Sequence, residues 1–151
     1  MRKEKSVNKQ ILKAIAALVL SVIPASAFAA SMTVSDGWFR ALPANLPSGG
    51  YFTLHNGGAM PVTLTGASSP ACGTLMLHVS ETTNGMASMS NVASIPVAPG
   101  ATLKFSPGGY HLMCMNPTPE IKPGATVFVT LQFLDGKTVT GPFVVKNAKG
   151  Q

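Results

Sequence analysis

The stretch Val127-Phe128-Val129-Thr130-Leu131-Gln132-Phe133, followed by Asp135-Gly136 and then Thr138 to Val145, decides the fold. Val127, Val129, Leu131 and Phe133 fall on every second position, the longest such run in the chain. This is the period of a strand with one buried face. Asp135-Gly136 is a hairpin signal, and Thr138 to Val145 reads as the returning strand.

Outward from this hairpin the same rhythm recurs between Gly and Pro corners. Leu103 and Phe105 alternate with Thr102 and Lys104; Leu75, Leu77 and Val79 alternate with Met76 and His78; Val62 and Leu64 alternate with Thr63 and Thr65. Met32 to Arg40 and Tyr51 to His55 read as two more strands. Turns are expected at Pro47-Ser48-Gly49-Gly50, Asn56-Gly57-Gly58, Pro99-Gly100, Pro107-Gly108-Gly109 and Pro123-Gly124. Asn84 to Ser90 reads as a Met-rich loop. No segment after residue 30 keeps a helical period. The expected class is all-β, a β-sandwich or Greek-key barrel.

The N-terminal segment has a different character. Arg2, Lys3, Lys5, Lys9 and Lys13 precede or enter an apolar run from Ile11 to Ile23, and small residues follow from Ala25 to Ala30. This order is that of a secretory signal peptide with an Ala-x-Ala cleavage site. Residues 1–29 are expected to be removed, with cleavage after Ala27 as the second choice, leaving residues 30–151 as one β domain in the periplasm. The run is short for a membrane span. The chain's formal charge is +6. Five of its 11 basic residues and one of its 5 acidic residues lie in the first 29, so the remainder carries 6 basic against 4 acidic. Those 6 are scattered and are not interleaved with aromatics, which argues against a nucleic-acid surface.

Sulfur and imidazole gather in one region: Met76, His78, Met86, Met89, His111, Met113 and Met115. Met is normally an adaptable core filler. Here, however, His111-Leu112-Met113 would put imidazole and thioether on one strand face, with Leu112 and Cys114 on the other. His78 and the Met-rich loop could supply a second pair. Thioether with imidazole and no carboxylate suits copper(I), and disfavours calcium and magnesium. Thioethers also survive an oxidising compartment, where thiolates pair as disulfides. Cys72 and Cys114 could form such a bridge, since the compartment permits it without requiring it. His55 has no ligand-like neighbour and reads as a surface residue, and Trp38, Phe39 and Tyr51 read as core or lid aromatics. Paired carboxylates, a nucleophile–base motif and a phosphate loop are all missing, so no enzyme is expected.

The spacing brings in a family. His78, ten residues, Met89, twenty-one residues, His111, one residue and Met113 follow one another. With Gly66 to Pro70, Asn84-Gly85 and Pro107-Gly108-Gly109-Tyr110-His111-Leu112-Met113, this resembles the periplasmic copper(I) chaperones of the PCuAC family over Val34 to Val145. The resemblance implies a cupredoxin-like Greek-key β-barrel or sandwich. It implies one copper(I) ion per chain held by His78, Met89, His111 and Met113. It implies delivery toward the binuclear copper centre of a cytochrome oxidase, with a Sco-type protein and the oxidase copper subunit as partners. A monomer free of the membrane after signal cleavage is expected. Relatives often carry a Met- and His-rich C-terminal extension; this sequence shows none, and no second tail site is expected. Met86 and Met115 are spare thioethers. A blue-copper electron carrier, which needs a Cys ligand, and a metal-free β-sandwich binding module are the alternative readings. Protein isolated from the producing cell should begin near Ala30 or Phe28; N-terminal sequencing or intact mass checks this, and a retained Met1 in a membrane fraction overturns it.

Overall fold

The computed structural model describes residues 31–151; the expected signal segment, residues 1–29, lies outside them. The alternating runs all become strands, in the order β1 (Met32–Arg40), β2 (Ser48–Asn56), β3 (Val62–Ser68), β4 (Cys72–Thr83) and β5 (Met86–Asn91), then β6 (Ile95–Val97), β7 (Thr102–Phe105), β8 (Tyr110–Pro117), β9 (Thr126–Phe133) and β10 (Thr138–Lys146). One further element is a three-residue 3-10 turn, Pro43–Asn45.

The strands hydrogen-bond in the order β5-β4-β8-β2-β1-β10-β9-β3-β6, with β7 added alongside β2. β1 is the junction. It runs antiparallel to β2 and parallel to β10, and its register shifts between Ser35 and Trp38, where Asp36 has φ 54°. Such a bulge bends a strand and sharpens its twist. The two halves of the sheet thereby close over one core. Leu75, Leu77 and Leu112 enter from one half, and Leu64, Leu131 and Phe143 from the other. Phe39, Phe52, Phe105 and Phe143 sit at its centre, with Phe52 and Phe105 stacked at 4.3 Å and Phe39 and Phe143 at 5.4 Å between centroids. The result is the expected Greek-key sandwich.

Two local expectations are corrected, and one strand was not foreseen. Ser48, Gly49 and Gly50 are not a turn but the first residues of β2, paired with both β1 and β8. Their glycines answer to packing: a Cβ on Gly50 would stand 2.6 Å from Phe39 Cε1 and 3.1 Å from Leu112 Cβ. Asn84 to Ser90 is not a loop either. Asn84 (φ 53°) and Gly85 (φ 78°) alone make a tight turn, and from Met86 the chain pairs with β4 as far as Asn91. Left-handed conformation at both positions is what a type I′ hairpin requires. β6, three residues with a proline at its centre, had no readable alternation.

The open question of the cysteines is resolved as a disulfide. Cys72 and Cys114 are bonded, with Cα atoms 5.4 Å apart. The bridge ties the start of β4 to the middle of β8. Asn116 has φ 50°; beyond it the alternation of β8 fails, and Pro117 and its partner Cys72 both turn inward.

Gly50→Ala should destabilise the fold by about 1–3 kcal/mol, the range of core overpacking, because backbone and ring must both give. Urea unfolding at constant pH measures this, and an unchanged midpoint would refute the packing role.

Candidate metal centre

Strand register builds the site. On the core side of the β4–β8 ladder, Leu75 faces Cys114 and Leu77 faces Leu112. The intervening residues must therefore point outward, Met76 facing Met113 and His78 facing His111. On the other flank of β4, Ser80 faces Met89 and His78 faces Asn91. His78, Met89, His111 and Met113 thus lie on one face of three adjacent strands. His78 is central, His111 is directly opposite, and Met89 and Met113 occupy diagonal positions. Directly opposed Cβ atoms are about 4.5–5.5 Å apart and diagonal ones about 7–8 Å, within reach of long side chains.

The two imidazoles are prepared differently. Their ring centroids are 5.6 Å apart, at 72° to one another. His111 is buried, at 5% exposure. Its Nδ1 lies 3.1 Å from the Gly109 carbonyl oxygen. A carbonyl only accepts, so Nδ1 carries the proton and Nε2 keeps its lone pair. The same carbonyl also accepts the Ser80 amide at 3.0 Å, so the ring is oriented from the β4–β8 edge itself. His78 is the opposite case: both of its ring nitrogens are out of contact with solvent and neither is hydrogen-bonded. Burial lowers its pKa below 6.5, the neighbouring His111 lowers it further, and the Asn91 amide beside the ring opposes this weakly.

No acidic side chain lies on the outward face of β4, β5 or β8; Glu81 falls on the other parity and is exposed. The donors are nitrogen and thioether sulfur. Exposure is graded across the site: Met89 is 61% exposed, Met113 is half-buried and His111 is buried. The disulfide holds both cysteines on the core side, so no thiolate faces this cluster. His55 stands apart on β2, within 3.1 Å of the Thr102 hydroxyl. Trp38 and Tyr51 pack together on the face opposite Phe39, Trp38 half-buried and Tyr51 buried, while Phe39 is core.

The LpqE-like family model matches residues 32–145, nearly all of the described chain. This chain belongs to the LpqE-like family. A curated relative, "Putative lipoprotein Lxx21020" of Leifsonia xyli subsp. xyli, is 32% identical over 118 residues, 78% of this chain and 70% of that one. Among solved structures, the copper-bound PCuAC domain from PmoF2 is similar with a TM-score of 0.64 at 20% identity, covering 78% of this chain and 93% of that one. Apo-DR1885 from Deinococcus radiodurans has a TM-score of 0.59 at 27% identity over 97% and 96% of the two chains. CuI-DR1885 has a TM-score of 0.56 at 31% identity over 82% and 86%. The fold is that of the PCuAC domains.

Within this LpqE-like chain the structure adds a residue that sequence spacing left among possible core fillers. Met76, half-buried, shares the outward face and stands directly opposite Met113. Its alternation with Leu75 and Leu77 was the readable signal. Met115 is on the same face, opposite Thr74. Met86 is on the reverse parity of β5, away from Met89.

The lowered pKa of His78 has a sign that can be worked out. The unfolded chain takes up this proton near pH 6.5, before the folded one does. Stability is therefore full above that pH and falls as pH drops from there toward the lowered folded value. The metal-free protein should be less stable at pH 5.5 than at pH 7.5, and His78→Asn should shrink that difference. Urea midpoints at the two pH values test this; an identical pH dependence in the variant would remove His78 as its source.

Proposed function

We propose that this protein is a copper(I)-binding chaperone of the bacterial envelope that holds one ion through His78, Met89, His111 and Met113 and passes it on without catalysing a reaction. The observation that carries the reading is His78: a half-buried imidazole whose two nitrogens are shielded from solvent with only the Asn91 side chain beside them, opposite a second imidazole whose free nitrogen is oriented by Gly109. Leaving buried polar groups unsatisfied costs about 1–3 kcal/mol. A metal would supply the missing partner. The donor set selects which metal: two thioethers and two imidazoles, all neutral, suit a soft monovalent ion. The similar structures of the copper-bound PCuAC domain from PmoF2 and of CuI-DR1885 support the same choice.

The lowered pKa of His78 suits this work. Imidazole binds a metal only when neutral, and burial keeps His78 neutral into mildly acidic solution. Met89, the most exposed of the four, would be the first to yield to an incoming ligand. Secretion to the periplasm, delivery toward the binuclear copper centre of a cytochrome oxidase, and a Sco-type companion remain part of the proposal on the strength of the family resemblance. The family description speaks of lipoproteins; the two cysteines of this sequence are bonded to each other, so neither is free to carry a lipid. The blue-copper alternative loses its thiolate for the same reason.

A copper(I) competition titration with a colorimetric chelator tests the reading. His111→Ala and Met113→Ala should each weaken binding by about a hundredfold or more, the upper end of what loss of a mere supporting group costs. His55→Ala should leave it within about twofold, as expected for a surface position. Equal losses at His55 and His111 would refute the site. An intense blue band on adding copper(II) would favour the electron carrier.

A further inference from the structure

The outward row that contains Met113 runs on across the sheet. Met76 faces Met113, Met113 faces Gly49, Gly49 faces Arg40 and Arg40 faces Lys146. Met113 and Arg40 are two strand spacings apart, about 10 Å. Gly49 contributes no side chain to the gap. The Tyr51 hydroxyl fills it, 2.6 Å from where a Cβ on Gly49 would lie. Tyr51 packs on Trp38 with ring centroids 4.6 Å apart. The Arg40 guanidinium lies 5.6 Å from the Trp38 centroid and 5.7 Å from that of Tyr51, and Lys146 Nζ lies 5.0 Å from Trp38.

These cations are held by aromatic faces and not by carboxylates. Among the described residues neither Arg40 nor Lys146 has an acidic partner; the ion pair there is Lys137–Asp135. Arg40 Nε is buried with no hydrogen bond. Beside Arg40 the β1–β2 connection leaves Leu42 and Leu46 outward, 37% and 53% exposed. Arg, Trp and Tyr are the side chains that most often dominate protein interfaces. Uncompensated positive charge here would steer a partner of opposite sign.

We propose that this platform docks the copper-exchanging partner, and that the partner is a protein with acidic residues around its own metal ligands. The inference rests on the copper reading above and adds the partner's chemistry to it. Carboxylates of the partner meet Arg40 and Lys146, apolar groups meet Leu42, Leu46 and Trp38, and the partner's ligands arrive on the Met113 side of the ion. Transfer is a ligand exchange. The bond from copper to a thioether breaks, a bond to the partner's sulfur forms, and the thiol proton passes to solvent. Copper stays monovalent throughout.

The probes are two synthetic peptides with the same Cys-x-x-x-Cys centre, one flanked by Glu and Asp, the other by Lys. Copper(I) transfer from the loaded protein is timed anaerobically at low and high salt, and equilibrium binding of both peptides to the copper-free protein is measured alongside. The acidic peptide should be faster by about tenfold at low salt, the lower end of electrostatic steering. The ratio should approach one in about 0.5 M salt, where the screening length is only a few ångströms. Arg40→Glu and the half-exposed Lys146→Glu should each abolish the preference and leave copper(I) affinity unchanged. Lys137→Glu makes the same change of net charge about 30 Å away, just before β10, and should leave the preference intact. An equal loss with Lys137→Glu, or no preference in the parent protein, overturns the proposal. So does binding to phosphatidylglycerol vesicles that depends on Arg40 without any peptide preference, which would make the platform a lipid contact. If the parent protein retains no copper, the copper reading fails, and peptide binding to the copper-free protein still decides the platform.

Discussion

The β4–β8 ladder pairs Leu75 with Cys114 and Leu77 with Leu112 on its core side, and so fixes Met76 opposite Met113 and His78 opposite His111 outside. Because side chains alternate with a period of two, a slip of one residue would drive the imidazoles into the core and the leucines into water. Each leucine so exposed forfeits about 1.5–3 kcal/mol of burial. The Cys72–Cys114 bridge pins the same two strands covalently. Core formation and ligand placement are therefore a single event. The site needs no loop to assemble it: three of its candidate ligands sit on the two strands of this ladder, and Met89 sits on the adjoining β5.

The outer face of that ladder carries a cost which the fold alone does not explain. His78 is flanked by strands on both sides and its two nitrogens find no partner. Elsewhere the chain satisfies buried polar groups with care. Asn56, buried in β2, donates to the Met60 and Val97 carbonyls and accepts from the Gly58 amide. The contrast between Asn56, with every group used, and half-buried His78, whose solvent-shielded nitrogens have only the Asn91 side chain beside them, is a local conflict of the kind that marks functional positions. His111 resolves its own half of the problem through the Gly109 carbonyl, which holds one nitrogen and leaves the other available.

Strand parity was legible in the sequence where Leu, Val and Phe alternate with Thr, His or Met, because burial of one face leaves a direct mark. The four candidate ligands were legible for the same reason, together with their spacing. Gly49 and Gly50 were not. Two adjacent glycines read as a turn, whereas their role is to let Phe39 and the Tyr51 hydroxyl approach the β2 backbone, a tertiary demand without a local pattern. β5 was hidden because all six of its residues are exposed; with no buried face there is no hydrophobic period to read, and only the Asn84-Gly85 turn announced a hairpin. The disulfide was undecided because strand pairing, and not sequence separation, brings its Cα atoms to 5.4 Å.

The exposed character of β5 bears on how an ion could both stay and leave. β5 ends the sheet order, bonds to β4 alone, and buries nothing. Strands held only by solvent-exposed hydrogen bonds open most easily. Met89 would thus be carried by an edge strand with no buried residue, while His111 and Met113 are carried by β8, between β4 and β2 and tied into the core through Leu112 and Cys114. Opening β5 would withdraw the Met89 thioether without disturbing the other three proposed ligands or any core contact. A vacancy could then arise at small cost in fold stability, on the flank opposite to Arg40 and Lys146. A partner seated on that basic platform would approach from the rigid side, while the coordination shell relaxes on the mobile one. On the proposed copper reading, retention and release would fall to different strands of one sheet, and neither would require the protein to unfold.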